Sequence, residues 1–332
     1  MENEPLIWWF AYKFIYLFLL YWVYSILFFC MPIFHIQNKF RPKIKRVRGI
    51  WGIAHRGGSR ESLENTIPTF KRAIEIGSQV PLILEMDIQF TKDKVAVVCH
   101  DNHLGRIWGV NIKISETNYA DLPKIQDHVD LHFATFQYHT TENDDKTIPI
   151  LEDVMKACPD VPFNMELKRN DDELKTEVLK LIRKYKRESI TIWGSVNEEH
   201  WMRMKRMAPD IPTFMPIATV QRILLFFFIG YLPFYRLHHD TFQFPFWNQD
   251  YIDDVMKTRG DNMNSKIYLF GLKVFNVIAK LILFHLRQRR IFVFYYSINN
   301  ENDFEKAINQ GVDGIITDSP QLLINYLTKK DE

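Results

Sequence analysis

Five short clusters of ionisable residues stand where apolar runs end: His55-Arg56-Gly57-Gly58, Glu64-Asn65, Glu85-Met86-Asp87, His100-Asp101 and Glu166-Leu167-Lys168. Imidazoles, carboxylates and cations are the side chains of proton transfer and of charge stabilisation. An apolar run that ends in a charge is unfavourable unless the charge leaves the core, because burying an unpaired ion costs several kcal/mol or more. Five such placements point to one shared polar site.

The runs themselves read as strands. Stretches 49–54, 81–84, 95–99 and 161–165 lead into four of the clusters, and 189–194, 211–217, 291–297 and 314–317 are further short β-branched or aromatic runs. Helical patterns at 66–76, 171–185, 198–207 and 302–309 lie between them. Eight strands with helical crossovers predict a parallel sheet closed into a (β/α)8 TIM barrel, an α/β fold whose functional residues sit at the C-terminal strand ends. An open doubly wound sheet is the rival, but the charged residues follow several strands rather than one switch point.

The 332 residues exceed the roughly 250 of a typical barrel, leaving room for a terminal anchor and an insertion. A formal net charge of +2 gives no case for nucleic acid. Cys30, Cys99 and Cys158 are scattered and odd in number, which argues against a disulfide framework. Residues 14–34 carry no charge and are long enough to span a bilayer, so 1–48 reads as a transmembrane helix with a basic flank and 49–328 as the barrel domain. Lys39, Arg41, Lys43, Lys45, Arg46 and Arg48 crowd the far side of the span, which places the barrel on the cytosolic side. No Asn-x-Ser/Thr site opposes that face.

Two more apolar stretches lie within the barrel sequence. Residues 223–234 are too short to cross a membrane but suit partial immersion, and 269–286 read as an amphipathic helix. The stretch 236–265 between them reads as a polar, irregular insertion. Residues 102–149 form another insertion, with a polar loop tip at 140–146. The insertion and the apolar stretches together are expected to wall a groove at the barrel mouth.

The ordered set of motifs closely resembles the glycerophosphodiester phosphodiesterase family. It comprises Ala54-His55-Arg56-Gly57-Gly58, Glu64-Asn65-Thr66, Glu85-x-Asp87, His100-Asp101, Glu166-x-Lys168 and the closing run 311–320. With its N-terminal anchor the chain resembles the membrane-bound lysophospholipase D subgroup, for which an endoplasmic reticulum location is implied. The resemblance implies a TIM barrel, one divalent cation on Glu85, Asp87 and Glu166, and His55 and His100 as the catalytic pair. It further implies phosphate contacts from Arg56 and Lys168. Substrates would be lysophospholipids or related glycerophosphodiesters, with the lipid bilayer as the other partner; no obligate protein partner is evident.

The residue types agree with that implication. Glu85 and Asp87, two apart on a strand, project to one face, and Glu166 joins them from another strand. Clustered carboxylates repel unless a cation is present, and oxygen ligands select a hard ion, Mg²⁺ or Ca²⁺. One imidazole can accept a proton from the attacking hydroxyl while the other donates to the leaving oxygen, with the assignment left open. The resemblance further implies a neighbouring glycerol hydroxyl as the nucleophile, giving a cyclic phosphate, an intramolecular attack that benefits from high effective molarity. Asp101 is placed to orient an imidazole and Glu64 to hold Arg56 or Asn65, while Asn65 reads as a helix start. Tyr296, in Tyr296-Ser297-Ile298-Asn299, stands where the family commonly has Trp, and keeps an aromatic face toward substrate. Three alternatives remain open: action on water-soluble deacylated substrates, a related lyase that stops at the cyclic product, and an inactive membrane adaptor.

Overall fold

Strand and helix alternate along the chain and close a ring of parallel staves in the computed structural model, which describes residues 4–329 apart from 79, 127, 131–136 and 140–144. A long helix, α1 (Glu4–Cys30), precedes β1 (Trp51–Ala54), α2 (Ile67–Ile76), β2 (Leu82–Phe90) and β3 (Ala96–Val98). The insertion follows, with α3 (Gly105–Trp108), β4 (His128–Asp130) and β5 (Gln137–His139); part of the expected polar tip, 140–144, lies outside the described residues. Then come α4 (Leu151–Ala157), β6 (Phe163–Leu167), α5 (Asp172–Lys184), β7 (Thr191–Gly194), α6 (Glu198–Met207) and α7 (Ile217–Phe228). The chain ends with β8 (Thr241–Pro245), α8 (Gln249–Arg259), α9 (Met263–Gln288), β9 (Phe292–Tyr296), α10 (Glu301–Gln310), β10 (Gly314–Thr317) and α11 (Pro320–Lys329).

The parallel sheet runs β7-β6-β2-β1-β10-β9-β8. Thr213 bridges Trp193 of β7 and Phe214 bridges Thr241 of β8, both in parallel, so a two-residue eighth stave joins the sheet's ends. Two expectations change. The run 95–99 is not a stave: β3 pairs antiparallel with the extended end of β2. The missing stave is β8, inside the stretch read as irregular. Its sequence, TFQFP, ends in proline and lacks a β-branched apolar run. It is held instead by Phe242 and Phe244, which pack with Phe275 of α9 at centroid distances of 6.0 and 4.1 Å.

Strand parity explains where the polar residues go. Ile53, Ile83, Ile192, Phe294 and Ile316 fill the barrel interior with Phe214, and Phe40 and Trp51 close its floor. Successive side chains alternate across a strand. The parity that turns Ile83 inward therefore turns Glu85 and Asp87 inward above it, while Leu84, Met86 and Ile88 pack in the outer core among the helices. In register, Asp87 stands beside Glu166 and Glu85 beside Asn164.

α1 ends before Pro32, as expected where a proline disfavours helical geometry in the preceding residue. Its outward residues are exposed and apolar, and its last turns dock on the barrel: Tyr21 donates to the carbonyl of Ile229 and Ser25 to that of Gly230, both at 2.6 Å. α1 and α9 are each long and apolar enough to cross a membrane. α9 nevertheless buries Leu272, Phe275, Ala279 and Ile282 against the barrel while exposing Phe270, Val277 and Leu281, so it is two-faced. The apolar stretch 223–234 falls on the second half of α7, which ends at Phe228, and on the turn that follows it.

Candidate active site

The chain leaves β1 through a tight turn. Arg56 adopts φ +51°, uncommon for a residue with a side chain, and Gly57 and Gly58 follow at +86° and +116°. A Cβ on Gly58 would lie 2.7 Å from Pro320, so the turn also requires glycine for space. This backbone aims the Arg56 amide at Glu85, whose Oε2 accepts it at 2.8 Å.

The two histidines face one cavity, each with a carboxylate on Nδ1. His55 Nδ1 lies 2.6 Å from Asp318 Oδ1, with Nε2 3.9 Å from Glu85 Oε2. His100, just beyond β3, has Nδ1 2.7 Å from Asp101 Oδ1. In each case a carboxylate accepting from Nδ1–H leaves Nε2 as the reactive nitrogen. Their electrostatics diverge. Burial opposes charge on His55, but Asp318 and Glu85 outweigh it and raise its pKa. Burial, Arg56 and Lys168 push His100 down to about 3, so it is neutral at physiological pH.

Between them lies a carboxylate–cation cluster. Lys168 Nζ is 2.9 Å from Asp87 Oδ1 and 2.8 Å from Glu166 Oε2. Burial raises Glu85, and the neighbouring Asp87 charge adds to it; for Asp87 burial is overruled chiefly by the Lys168 and Arg56 cations, which hold it ionised. Arg56, only 1% exposed, donates to Glu64 Oε1 at 3.0 Å and has Nε 3.5 Å from Asp87. Glu64 thus holds Arg56, one of the two partners expected for it. Asn65 is buried at φ +58° with no partner for its side-chain amide; it lies one residue before the actual helix cap, Thr66, whose hydroxyl accepts from Thr69 N. Tyr296 lines the cavity, its phenol raised by burial, beside Tyr251.

The donor set suits a hard divalent cation. Asp87 Oδ2 is buried without a hydrogen-bond donor, and Glu85 is pushed toward protonation by burial and by Asp87, two unfavourable features that one cation would relieve. Among the described residues no three ligating side chains already converge, and Lys168 bridges Asp87 and Glu166.

Several participants escaped the sequence reading. Asp318 directly follows β10, the same strand-end signal that marked the other clusters, and it also accepts from Ser59 at 2.5 Å and Asn299 at 2.9 Å. Arg106, on α3 of the insertion, clamps Glu64 through two bonds of 2.7 and 2.9 Å and donates to Asp101 at 2.6 Å. No sequence spacing announces it. Asn164 and Gln243 pair across the barrel at 2.9 Å beneath the site.

Residues 55–221 match the glycerophosphoryl diester phosphodiesterase family. Over 275 residues the chain is 34% identical to the Homo sapiens protein named lysophospholipase D GDPD1, covering 83% of this chain and 85% of that one. It is 31% identical to Homo sapiens lysophospholipase D GDPD3, covering 82% and 84%. The crystal structure of glycerophosphodiester phosphodiesterase from Agrobacterium tumefaciens shares the fold, with a TM-score of 0.56, 18% identity, and coverage of 83% of this chain and 99% of that one. The chain belongs to the glycerophosphoryl diester phosphodiesterase family.

Proposed function

We propose that this protein is a membrane-anchored lysophospholipase D, cleaving the head-group side of the phosphodiester to give lysophosphatidic acid and a free alcohol. The observation that carries the reading is that His55 and His100 face one cavity, each with a carboxylate on Nδ1, above an ionisable floor that gives way to apolar walls. Neutral His100, oriented by Asp101, takes the proton of the glycerol hydroxyl as that oxygen attacks phosphorus. His55, its charged form favoured by Asp318 on Nδ1, gives its proton to the departing head-group oxygen. Water then opens the cyclic phosphate with the proton roles reversed. Arg56 and Lys168 put fixed positive charge beside the phosphate's non-bridging oxygens. A divalent cation, Mg²⁺ or Ca²⁺, held by Glu85, Asp87 and Glu166, would add Lewis-acid stabilisation of those oxygens. Tyr296 offers the glycerol moiety an aromatic face.

The exposed apolar faces of α1, α7 and α9 support residence on a bilayer, and the basic stretch after α1 supports a cytosolic barrel. The test is mass spectrometry of products from lysophosphatidylcholine and, separately, glycerophosphocholine, with Mg²⁺, Ca²⁺ or EDTA, beside His55→Ala. Metal-dependent lysophosphatidic acid and choline, lost in the variant, are expected. Turnover of glycerophosphocholine alone would reassign the substrate, accumulation of cyclic phosphate alone would make it a lyase, and no turnover of either would leave a membrane adaptor.

A further inference from the structure

The catalytic cavity, about 500 Å³, is chemically two-ended. One end is the ionisable floor already described. The other runs out between α7 and α9, where Ile217, Val220 and Leu224 face it from α7 and Ile267, Gly271 and Leu272 from α9. The spacings i, i+3, i+7 and i, i+4, i+5 mark one stripe on each helix turned toward the cavity. Gln221 of α7, Tyr268 of α9 and Arg259 of α8 also line the cavity, but the stripes themselves are mostly apolar, and the volume lies within the ~300–1,000 Å³ of small-molecule sites.

Ile217 and Ile267 line the cavity and are also 55% and 62% exposed, so they form wall and rim together. Outside that rim the same two helices expose Leu225, Phe228 and Phe270, continuing an apolar surface that a soluble monomer would cover. The trough therefore opens onto the face suited to lipid. Gly271 is the third observation. Glycine weakens a helix interior, and here neither a positive φ nor a close approach calls for it: a Cβ would meet nothing within 4 Å. What glycine provides at this position is open space.

We infer that the trough between α7 and α9 is the acyl-chain subsite of the lysophospholipid, entered sideways from the bilayer past Ile217 and Ile267, with the small residue at position 271 leaving the α9 wall open for one chain. The inference rests on the lysophospholipase reading for its substrate but adds the path and the specificity-setting residue. A head group and glycerol must share the same cavity, which favours one chain over two.

Two measurements on the full chain in detergent or nanodiscs decide it. The first compares kcat/KM for palmitoyl- and hexanoyl-lysophosphatidylcholine in wild type, Gly271→Ala, Gly271→Trp and Leu224→Trp. The palmitoyl-to-hexanoyl ratio should fall by about tenfold or more in both tryptophan variants, from opposite walls, and hold in Gly271→Ala. An unchanged ratio in both tryptophan variants overturns the inference. The second uses His55→Ala and a lysophosphatidylcholine bearing a photoreactive diazirine at the chain end, with adducts mapped by mass spectrometry. Adducts on α7 and α9 facing the trough support the subsite; adducts confined to α1 or to the 102–149 insertion refute it. The crosslinking result is independent of turnover, so a failed hydrolase assignment and a failed subsite assignment remain distinguishable.

Discussion

Asp318 Oδ1 lies 2.6 Å from His55 Nδ1, although 263 residues separate them. The barrel makes them neighbours: β1 pairs with β10 so that Ala54 sits beside Thr317, and the next residue on each strand is one member of the pair. Asp318 is itself fixed by Ser59 and Asn299, so the imidazole is held by a braced carboxylate.

Asp318→Asn should therefore lower kcat by about 100-fold or more, the scale of a lost acid–base contribution. The pH profile carries the sign. Asp318 raises the His55 pKa, so its loss lowers that pKa, and an activity requiring protonated His55 should fail at lower pH than in wild type. A kcat loss with an unmoved alkaline limb would assign Asp318 a purely structural role.

Glu64 links the barrel to its insertion by binding both Arg56 and Arg106. Burial alone would raise its pKa, but Arg106 and Arg56 overrule it and hold the carboxyl at about 2, against 4.5 ordinarily. A depressed carboxyl contributes stability that is present above its unfolded pKa and lost as pH falls through the folded value. That contribution is about 3 kcal/mol at neutral pH. Glu64→Gln should lower the denaturation midpoint at pH 7, and the gap from wild type should close between pH 4.5 and 2. A gap independent of pH would refute the ion-pair account.

How much of this was legible in sequence depends on the kind of signal. Interruption of an apolar run by charge is a local signal, so His55, Glu85, Asp87 and Glu166 announce themselves, although Glu85 and Asp87 lie within β2, which continues to Phe90, rather than beyond its end. Asp318 carries the same mark after Gly314–Thr317 but was hidden within a run recognised as a motif rather than as a site. β8 failed for the opposite reason: Phe242 and Phe244 are anchored by α9, and no pattern within TFQFP reveals that tertiary support. The run 95–99 has the composition of a stave, and only pairing shows it to be antiparallel. Arg106 acts across 42 residues on Glu64, a relationship without sequence periodicity.

Lys168 supplies the positive charge that Asp87 and Glu166 share. A bound cation would serve the same two carboxylates, so lysine and metal are partly redundant as counter-charges. Lys168→Met should destabilise the metal-free protein, and Mg²⁺ or Ca²⁺ should then raise its Tm by more than it raises that of wild type. Equal shifts in both proteins would separate the lysine from the cation site. Turnover should fall in the variant even when metal is saturating, because the phosphate loses a fixed cation.

The stretch between α1 and β1 is part of the barrel rather than a passive tether. Phe40 is 2% exposed and packs edge-on to Trp51 at 5.6 Å across the barrel floor. Arg46 lies 3.8 Å from the Trp51 ring and 3.0 Å from Asp313. Removing residues 1–34 should leave a folded barrel in detergent, whereas removing 1–48 should not, because the floor loses Phe40 and Arg46 together. Phe40→Ala alone should cost roughly 3–5 kcal/mol, as other buried aromatic truncations do. The shorter truncation also separates anchoring from docking. If the exposed apolar faces of α7 and α9 meet lipid, the protein lacking residues 1–34 should still float with vesicles and should release only when those faces are made polar, for example by Phe228→Glu with Phe270→Glu. Loss of flotation on removing 1–34 alone would place all membrane affinity in α1.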